Sequence, residues 1–386
     1  MDAFEKTLAD ATNPSNRDLL GAVGLVVDGA GTVLYHHAAG NQSLASSAPP
    51  LDPDSTFTLR SAGKCYSPRR MIPELDTLQV IEASDGELGF ALRPPASKIT
   101  LRHLLTHTSG LGGGDEPLVE LWRASPAGAA HAAATADAHI IVKNFAHPLL
   151  FDPGVAGFCY GGSAYFTTLL LIRLLAAQTP AQTIAEYIQK DIFEPLGMAS
   201  STLAPQARAD VLGKLLPLVR RTPEGTLVPV EGETRDMTVS ARDLGALLAD
   251  LIAPAGSKIL APASVSLLFA PQLARGSKAL ADLNGPKERE NYAAPAGVGA
   301  GAAAEAVRLN WSAAALVVEG EGALPISQIP PGTVTWNGMP NVVWAMHRER
   351  GVAMVFATQL VPVDDEKAVA VMMEFLRGAW ATYGTR

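Results

Sequence analysis

Two β-hairpin patterns stand near the opposite ends of this 386-residue chain. In the first pattern, the apolar runs 24–27 and 32–35 flank the turn residues 28–31, which read Asp-Gly-Ala-Gly. In the second, residues 341–362 repeat the arrangement around an Arg-Glu-Arg-Gly turn. Apolar runs separated by such turn residues are typical of antiparallel hairpins. The sequence therefore predicts one antiparallel sheet that is built from both ends of the chain, with a helical region inserted between them.

Most of the remaining periodic segments have helical spacing. We expect a helix that starts after Thr100, and a capping box in which Ser240 is the N-cap and Asp243 the fourth residue. The segment 276–304 is rich in Gly, Ala, Pro and charge, so we interpret it as irregular. The other predicted helices cover residues 3–11, 164–177, 183–193 and 365–383.

The length of the chain exceeds the size at which a single hydrophobic core stops growing. We therefore expect an α/β (α+β) protein with two lobes. The first lobe, with the central antiparallel sheet and its flanking helices, is predicted to comprise residues 1–66 and 205–386. The second lobe, residues 67–204, is predicted to be mainly helical.

Charge and composition exclude several classes of protein. The net charge is −8 and no Lys/Arg-rich run occurs, so we expect no nucleic-acid partner. The N-terminal residues are acidic and lack an apolar core, and the apolar run 165–177 is interrupted by Arg173. These patterns predict no secretion signal, no membrane partner and a cytoplasmic location.

Neither a disulfide framework nor a metal site is expected. Only two cysteines occur, Cys65 and Cys159, and we interpret both as small buried fillers rather than a redox pair. The eight histidines are scattered and show no metalloprotease spacing. The sequence therefore predicts no metal and no cofactor.

The tetrapeptide Ser61-Ala62-Gly63-Lys64 could carry nucleophilic chemistry. On a helix, Ser61 and Lys64 lie one turn apart on the same face. A serine hydroxyl needs a neighbouring base to take its proton, and a lysine of lowered pKa can be that base. The Ser61 backbone N–H would then be half of an oxyanion hole. Taken alone, a helix cap followed by a solvated lysine explains the motif better.

Four further segments follow the motif in a characteristic order. They read TLRHLLTHTSGL (100–111), FDPGVAGFCYGGSAYF (151–166), IFEPLGMASSTL (192–203) and TWNGMPNVVWAMHRERG (335–351). With the SxxK motif they resemble the serine β-lactamase and penicillin-binding-protein superfamily, in its branch of class C β-lactamases, esterases and D,D-peptidases. In residue identity and spacing they are most similar to the fungal lovastatin-type side-chain acyltransferases. The resemblance implies a β-lactamase/transpeptidase-like fold.

The resemblance also implies roles for individual residues. Tyr160 matches the catalytic tyrosine and would share the proton-shuttle role with Lys64. Trp336-Asn337-Gly338 replaces the Lys-Thr-Gly of β-lactamases. Asn337 or Gly338 would belong to an edge strand whose backbone supplies the second oxyanion donor. Trp336 would be an apolar wall of the acyl pocket, although an ordinary core tryptophan explains it equally well.

Two departures from the family pattern bear on function. Gly162 stands where β-lactamases carry the asparagine that binds the substrate amide, and this argues for an ester or thioester rather than a β-lactam. After Lys64, Pro68 ends any helix early, and about two dozen residues of the family pattern are missing. A shortened helix would leave its apolar neighbours without a partner.

Two other motifs are poor candidates for a nucleophile. In His107-Thr108-Ser109 the adjacent residues do not face each other on a helix, so we interpret the segment as a helix end packed near the site. The residues 161–165 are not a GxSxG nucleophile elbow, because Tyr165 stands where the second glycine is required.

These observations predict a serine esterase or acyltransferase that works through an acyl-Ser61 intermediate. Its partner would be a small-molecule ester or thioester of secondary metabolism, including an acyl thioester donor. Two alternatives remain open. One is a β-lactamase or D-amino-acid peptidase, against which Gly162 and Trp336 weigh. The other is a catalytically impaired or non-catalytic member, which the shortened segment after Lys64 favours.

Overall fold

The computed structural model describes residues 1–59, 72–113, 116–180, 182–232, 237–288, 308–320 and 322–384. Seven strands form the main sheet of this part of the chain, in the order β2-β1-β13-β12-β11-β10-β9. Their bounds are β1 Gly21–Asp28, β2 Val33–Gly40, β9 Arg308–Trp311, β10 Leu316–Glu319, β11 Val334–Gly338, β12 Val342–His347 and β13 Val352–Thr358.

The main sheet confirms the prediction that both ends of the chain build one sheet. Strand β1 of the first hairpin pairs antiparallel with β13 of the second, with Leu25 opposite Val355. All six pairings between neighbouring strands of this sheet are antiparallel. The mixed content of antiparallel sheet and helices also confirms the predicted fold class.

Three small sheets complete the described strands. Strand β3 (Thr56–Thr58) pairs with β8 (Thr238–Ser240), and this pairing holds the chain just before the SxxK motif. The other two sheets are the hairpin of β4 (Val80–Ala83) and β5 (Phe90–Arg93), and the sheet of β6 (Val219–Arg221), β7 (Leu227–Pro229) and β14 (Leu360–Val361).

The helices of the described chain were in large part predictable from capping and periodicity. Confirmed predictions are α1 (Asp2–Thr12), α2 (Leu101–Leu105, capped by Thr100), α6 (Gly162–Gln178), α10 (Ala241–Ile252) and α13 (Glu366–Tyr383). The other helices are α3 Pro117–Ala124, α4 Pro126–Ala134, α5 Ile140–Phe145, α7 Ile184–Ile188, α8 Glu194–Leu196, α9 Ala209–Leu212, α11 Pro262–Phe269 and α12 Lys278–Leu283. Short 3-10 turns cover Pro73–Thr77 and Pro205–Ala207, and a π-helical turn, Gln189–Phe193, joins α7 to α8.

Three expectations need correction. The segment 276–304 is not wholly irregular, because Ser277 caps α12 through the Leu280 N–H. The capping box at Ser240 is only half formed: Ser240 accepts from the Asp243 N–H, but the Asp243 carboxylate bonds the Ser200 N–H and Ser201 Oγ, at 2.7 and 2.8 Å. The third is the uninterrupted helix expected over residues 183–193, which the π-helical turn divides. A buried acceptor such as Asp243 is used where tertiary donors meet it, which a local pattern does not reveal.

The two faces of the main sheet are covered by different helices. Helix α10 packs on the face that carries Leu25, since a Cβ on Gly245 would lie 2.4 Å from the Leu25 side chain. The opposite face, at Gly24, carries the Phe4 ring of α1 and the Phe375 ring of α13, and a Cβ on Gly24 would lie 2.8 Å from Phe375. Glycine at these two positions therefore lets the helices approach the sheet closely.

The middle of the chain, from Pro73 to Leu196, contributes helices α2 to α8 and one small hairpin, with apolar clusters of its own. The predicted lobe boundaries, 1–66 and 205–386 against 67–204, stay a prediction. No helix in the described ranges combines the length and the apolar character needed to cross a membrane.

Candidate active site

The predicted nucleophile and base, Ser61 and Lys64, lie outside the described residues, as does Cys65. The described chain leads to them through β3 and ends at Leu59, whose N–H donates to the Met237 carbonyl at 3.0 Å. Leu59 is only 2% exposed and belongs to the largest apolar core. The chain therefore reaches the predicted nucleophile from a buried, hydrogen-bonded strand.

Tyr160 lies just before α6, within a cluster of aromatic rings. This aromatic cluster consists of His107, Phe158, Tyr160, Trp311 and Trp336. The Tyr160 ring centroid lies 4.7 Å from that of His107 and 4.8 Å from that of Trp336. Trp311 completes the cluster, at 4.7 Å from Trp336 and 5.0 Å from His107. Such ring packing restricts the rotamers of a side chain, so it fixes the position of the Tyr160 ring.

The hydroxyl of Tyr160 is held by a hydrogen bond from the sheet. Trp336 Nε1–H donates to Tyr160 Oη at 3.2 Å. Trp336 stands on β11 directly opposite Trp344 of β12. Trp336 is therefore both a ring neighbour of Tyr160 and a hydrogen-bond donor to it, while its role as a wall of the acyl pocket stays a prediction.

The segment after α2 supports the loop that carries Tyr160. The His107 carbonyl accepts from the Cys159 N–H at 3.0 Å, and the Thr108 carbonyl accepts from Gly154 at 2.8 Å. Ser109 Oγ and Ser163 Oγ lie 2.7 Å apart and form a buried hydrogen bond. These contacts show that His107-Thr108-Ser109, just after the end of α2, packs against the loop that carries Tyr160.

Acidic side chains hold the other edge of the same loop. The Phe158 N–H donates to Asp282 Oδ2 at 3.3 Å, and the Tyr160 N–H donates to Glu288 Oε2 at 3.4 Å. Glu288 is 3% exposed. Between them, Cys159 lies 3.6 Å from a Glu116 oxygen, and burial together with the charges of Glu288 and Glu116 raises the pKa of its thiol to about 12. Cys159 is therefore a protonated, buried side chain, as the sequence predicted.

The backbone around Gly162 leaves no room for the asparagine side chain that β-lactamases carry at this position. A Cβ at this position would lie 2.8 Å from the Gly112 carbonyl oxygen and 3.2 Å from the Leu111 side chain. A contact that short with a backbone atom requires the chain to move. The structure therefore lacks room for an amide side chain here, in addition to lacking the residue.

The three residues Trp336, Asn337 and Gly338 do not act from one face of the sheet. Asn337 stands opposite Val343 and alternates with Trp336, so its side chain projects to the other face. The expectation of an edge strand is also wrong, because β11 is the fifth of seven strands. However, β10 pairs with β11 only at Val334 and Thr335, so the ladder ends before Gly338.

Comparison with known proteins identifies the family. Residues 87–376 match the family described as Beta-lactamase. The chain belongs to the Beta-lactamase family. The recognition from ordered motifs is thereby confirmed.

Within the Beta-lactamase family, the relatives include acyltransferases and esterases. The chain is 27% identical to "Acyltransferase calJ" of Penicillium decumbens over 92% of its own length and 88% of the relative's. It is also 27% identical to "Lovastatin esterase" of Penicillium rubens, covering 94% of each chain. A solved mutant of simvastatin synthase from Aspergillus terreus superimposes with a TM-score of 0.82 at 25% identity, over 100% of this chain and 99% of the other. These relatives confirm the interpretation as an enzyme of the esterase or acyltransferase type.

The sequence of this Beta-lactamase family member did not point to two neighbours of Tyr160. Trp311 was not singled out, yet its Nε1–H donates to the Leu105 carbonyl at 3.1 Å and its ring packs against all four other members of the aromatic cluster. Glu288 lies in the segment interpreted as irregular. An isolated tryptophan or glutamate carries no periodic signal, so only the folded chain brings them to Tyr160.

Proposed function

We propose that this chain is a serine esterase or acyltransferase that works through an acyl-Ser61 intermediate. Lys64 is the base for Ser61, and Tyr160 shares the proton shuttle with Lys64. The observation that supports the proposal best is the fixed position of the Tyr160 hydroxyl, which accepts a hydrogen bond from Trp336. A proton donor must be held within hydrogen-bond reach of the reacting atoms, and this contact restricts where the hydroxyl can lie.

The proposed reaction has two halves. In the first, Lys64 Nζ takes the Ser61 proton while Oγ attacks the acyl carbonyl carbon, and the leaving oxygen or sulfur departs with a proton from the Lys64–Tyr160 pair. In the second, an alcohol or water attacks the acyl-serine ester and loses its proton to the same pair, and Ser61 Oγ is protonated again. Backbone N–H groups of Ser61 and of Asn337 or Gly338 would stabilise the oxyanion.

The proposed substrate is a small-molecule ester or thioester of secondary metabolism. The rings of Trp336 and Trp311 pack beside Tyr160, and Gly162 leaves no space for an amide-binding side chain. Apolar walls with few polar groups suit an acyl group better than a peptide-like amide. The fungal relatives, an acyltransferase and a lovastatin esterase, agree with this class.

Active-site labelling tests the proposal directly. The purified protein should react with a fluorophosphonate probe, and peptide mapping should place the adduct on Ser61. The Ser61→Ala variant is the matched control and should stay unlabelled while keeping the same melting temperature. The absence of any adduct in a cooperatively melting protein would instead support the non-catalytic alternative.

Substrate turnover tests the choice between esters and β-lactams. We expect p-nitrophenyl esters of short or medium acyl chains to be hydrolysed and nitrocefin to be left intact. Nitrocefin hydrolysis that is rapid in the wild type and lost in Ser61→Ala would refute the ester preference and support the β-lactamase alternative.

A further inference from the structure

A cavity of about 420 Å³ lies beside the aromatic cluster, and Leu59, two residues before the predicted nucleophile, lines it. Trp344 forms part of its wall, and Trp344 stands directly opposite Trp336 on the neighbouring strand. Directly opposite residues of antiparallel strands project from the same face of a sheet. Among the described residues, no member of the aromatic cluster lines the cavity.

The wall of the cavity is almost entirely apolar. Helix α10 contributes Leu247 and Leu251, the π-helical turn contributes Phe193, and α11 contributes Leu267. Of the described lining residues none is charged, and Ser264 is the only one with a hydroxyl group. A buried water needs two to four polar partners, whereas apolar cavities stay dry and take up hydrocarbons. The lining therefore selects an apolar ligand over water.

The cavity connects the solvent to the buried sheet. At α11 the lining residue Leu267 is 45% exposed, whereas Trp344 and Leu59 at the inner wall are 4% and 2% exposed. An elongated ligand can therefore enter at α11 and place its far end against β12. A polar end group would stay near α11, where the exposed Ser264 also lies.

The volume sets the length of the ligand. An engineered cavity of about 150 Å³ accommodates benzene, so a cavity of about 420 Å³ has room for roughly sixteen carbon atoms. We propose that this cavity binds a linear aliphatic chain of roughly ten to sixteen carbons. The chain has two possible sources: a free fatty acid, whose carboxylate stays at α11, or the acyl chain of a substrate, which enters from the end that Leu59 lines. Binding itself does not depend on the proposed chemistry at Ser61.

Calorimetric titration with saturated fatty acids tests the proposal. The Ser61→Ala protein should bind dodecanoic acid more tightly than decanoic acid and decanoic acid more tightly than octanoic acid. Each added methylene should strengthen binding about fourfold until the cavity is full, as expected for burying one CH2 group.

Two variants that fill the cavity provide the structural control. Ala314→Phe and Leu251→Trp each add bulk at a lining position and should weaken dodecanoate binding by about tenfold or more. Ala129→Phe, on the exposed surface of α4, is the matched variant and should leave binding unchanged. Melting curves show whether the two cavity-filling variants are folded. Because they change two different positions, binding can still be tested if one of them does not fold.

Ester kinetics in the wild-type background distinguish the two sources. If the ligand is a substrate acyl chain, Ala314→Phe raises KM for p-nitrophenyl decanoate and leaves that for p-nitrophenyl acetate unchanged. If the ligand is a free fatty acid, both ester rates stay unchanged while dodecanoate binding is lost. Dodecanoate binding that is absent, independent of chain length, or unchanged in both folded variants overturns the proposal. Failure of the acyl-serine proposal alone leaves fatty-acid binding intact, so the two can fail separately.

Discussion

The hydrogen bond between Trp336 and Tyr160 allows the proposed catalytic role of Tyr160 to be separated from its structural role. Tyr160→Phe and Trp336→Phe delete the same 3.2 Å bond from opposite ends. Tyr160→Phe also removes the hydroxyl that would move a proton, whereas Trp336→Phe keeps that hydroxyl. Both variants retain an aromatic ring, but Trp336→Phe also removes one ring of the buried indole from the aromatic cluster.

The expected magnitudes differ between stability and rate. Loss of one such hydrogen bond costs about 0.5–1.5 kcal/mol of folding free energy. General acid–base catalysis contributes about 10²–10⁴ in rate, which corresponds to roughly 3–5 kcal/mol of activation free energy. Tyr160→Phe should therefore lower kcat by two to four orders of magnitude. Trp336→Phe should change kcat by less than about tenfold and act mainly on KM.

The assay is steady-state hydrolysis of p-nitrophenyl esters below both melting temperatures, with Ser61→Ala as the inactive reference. Thermal melting of each variant measures how much stability the loss of the hydrogen bond costs. A Tyr160→Phe enzyme that keeps kcat within tenfold of the wild type would refute the proton-shuttle role. Equal losses of kcat in the two variants would show that the hydrogen bond, and not the hydroxyl, carries the effect.

Three further predictions concern stability and specificity. Asp365→Ala should lower the free energy of unfolding, measured in urea, by about 3–5 kcal/mol. The substitution breaks the largely buried ion pair with Arg221, in which Arg221 Nε lies 2.5 Å from Asp365 Oδ2, and it removes the N-cap of α13. Adding Arg221→Met should recover part of this loss. Burial raises the pKa of the Asp364 carboxyl to about 6. The folded state therefore favours the protonated carboxyl. This contribution to stability is complete below the pKa of Asp in the unfolded chain, near 4, and is lost as the pH rises through about 6. Asp364→Asn should therefore stabilise the protein by about 1–2 kcal/mol at pH 7.5, a value that is reduced because Asp364 is partly exposed. At about pH 4 the same substitution should have little effect on stability. Equal effects at both pH values would contradict this prediction. Gly162→Asn should not create nitrocefin hydrolysis and should lower the melting temperature, because the new Cβ would lie 2.8 Å from the Gly112 carbonyl; a stable variant with β-lactamase activity would disprove the steric argument.

The sequence by itself determined the elements whose signals are local. Turn residues between apolar runs identified β1, β2, β12 and β13. Helical spacing identified α1 and α13, and helical spacing with a capping residue identified α2 and α10. These signals act over a few residues, which is the range of a helical turn or a two-strand hairpin. The ordered motifs also identified the family, because each one marks an element of the shared fold. The roles assigned to Ser61 and Lys64 stay predictions.

Tertiary structure decided which side chains meet. The aromatic cluster joins residues from a helix end, a loop and two strands, so the spacing between His107 and Trp336 along the chain carries no information about their contact. The same holds for Asp243, whose carboxylate bonds a distant loop in place of closing its own capping box. It also holds for Gly162, whose missing side chain would collide with a carbonyl from another segment. Contacts between distant segments depend on the path of the whole backbone, and packing selects among them only once the sheet and its helices are assembled.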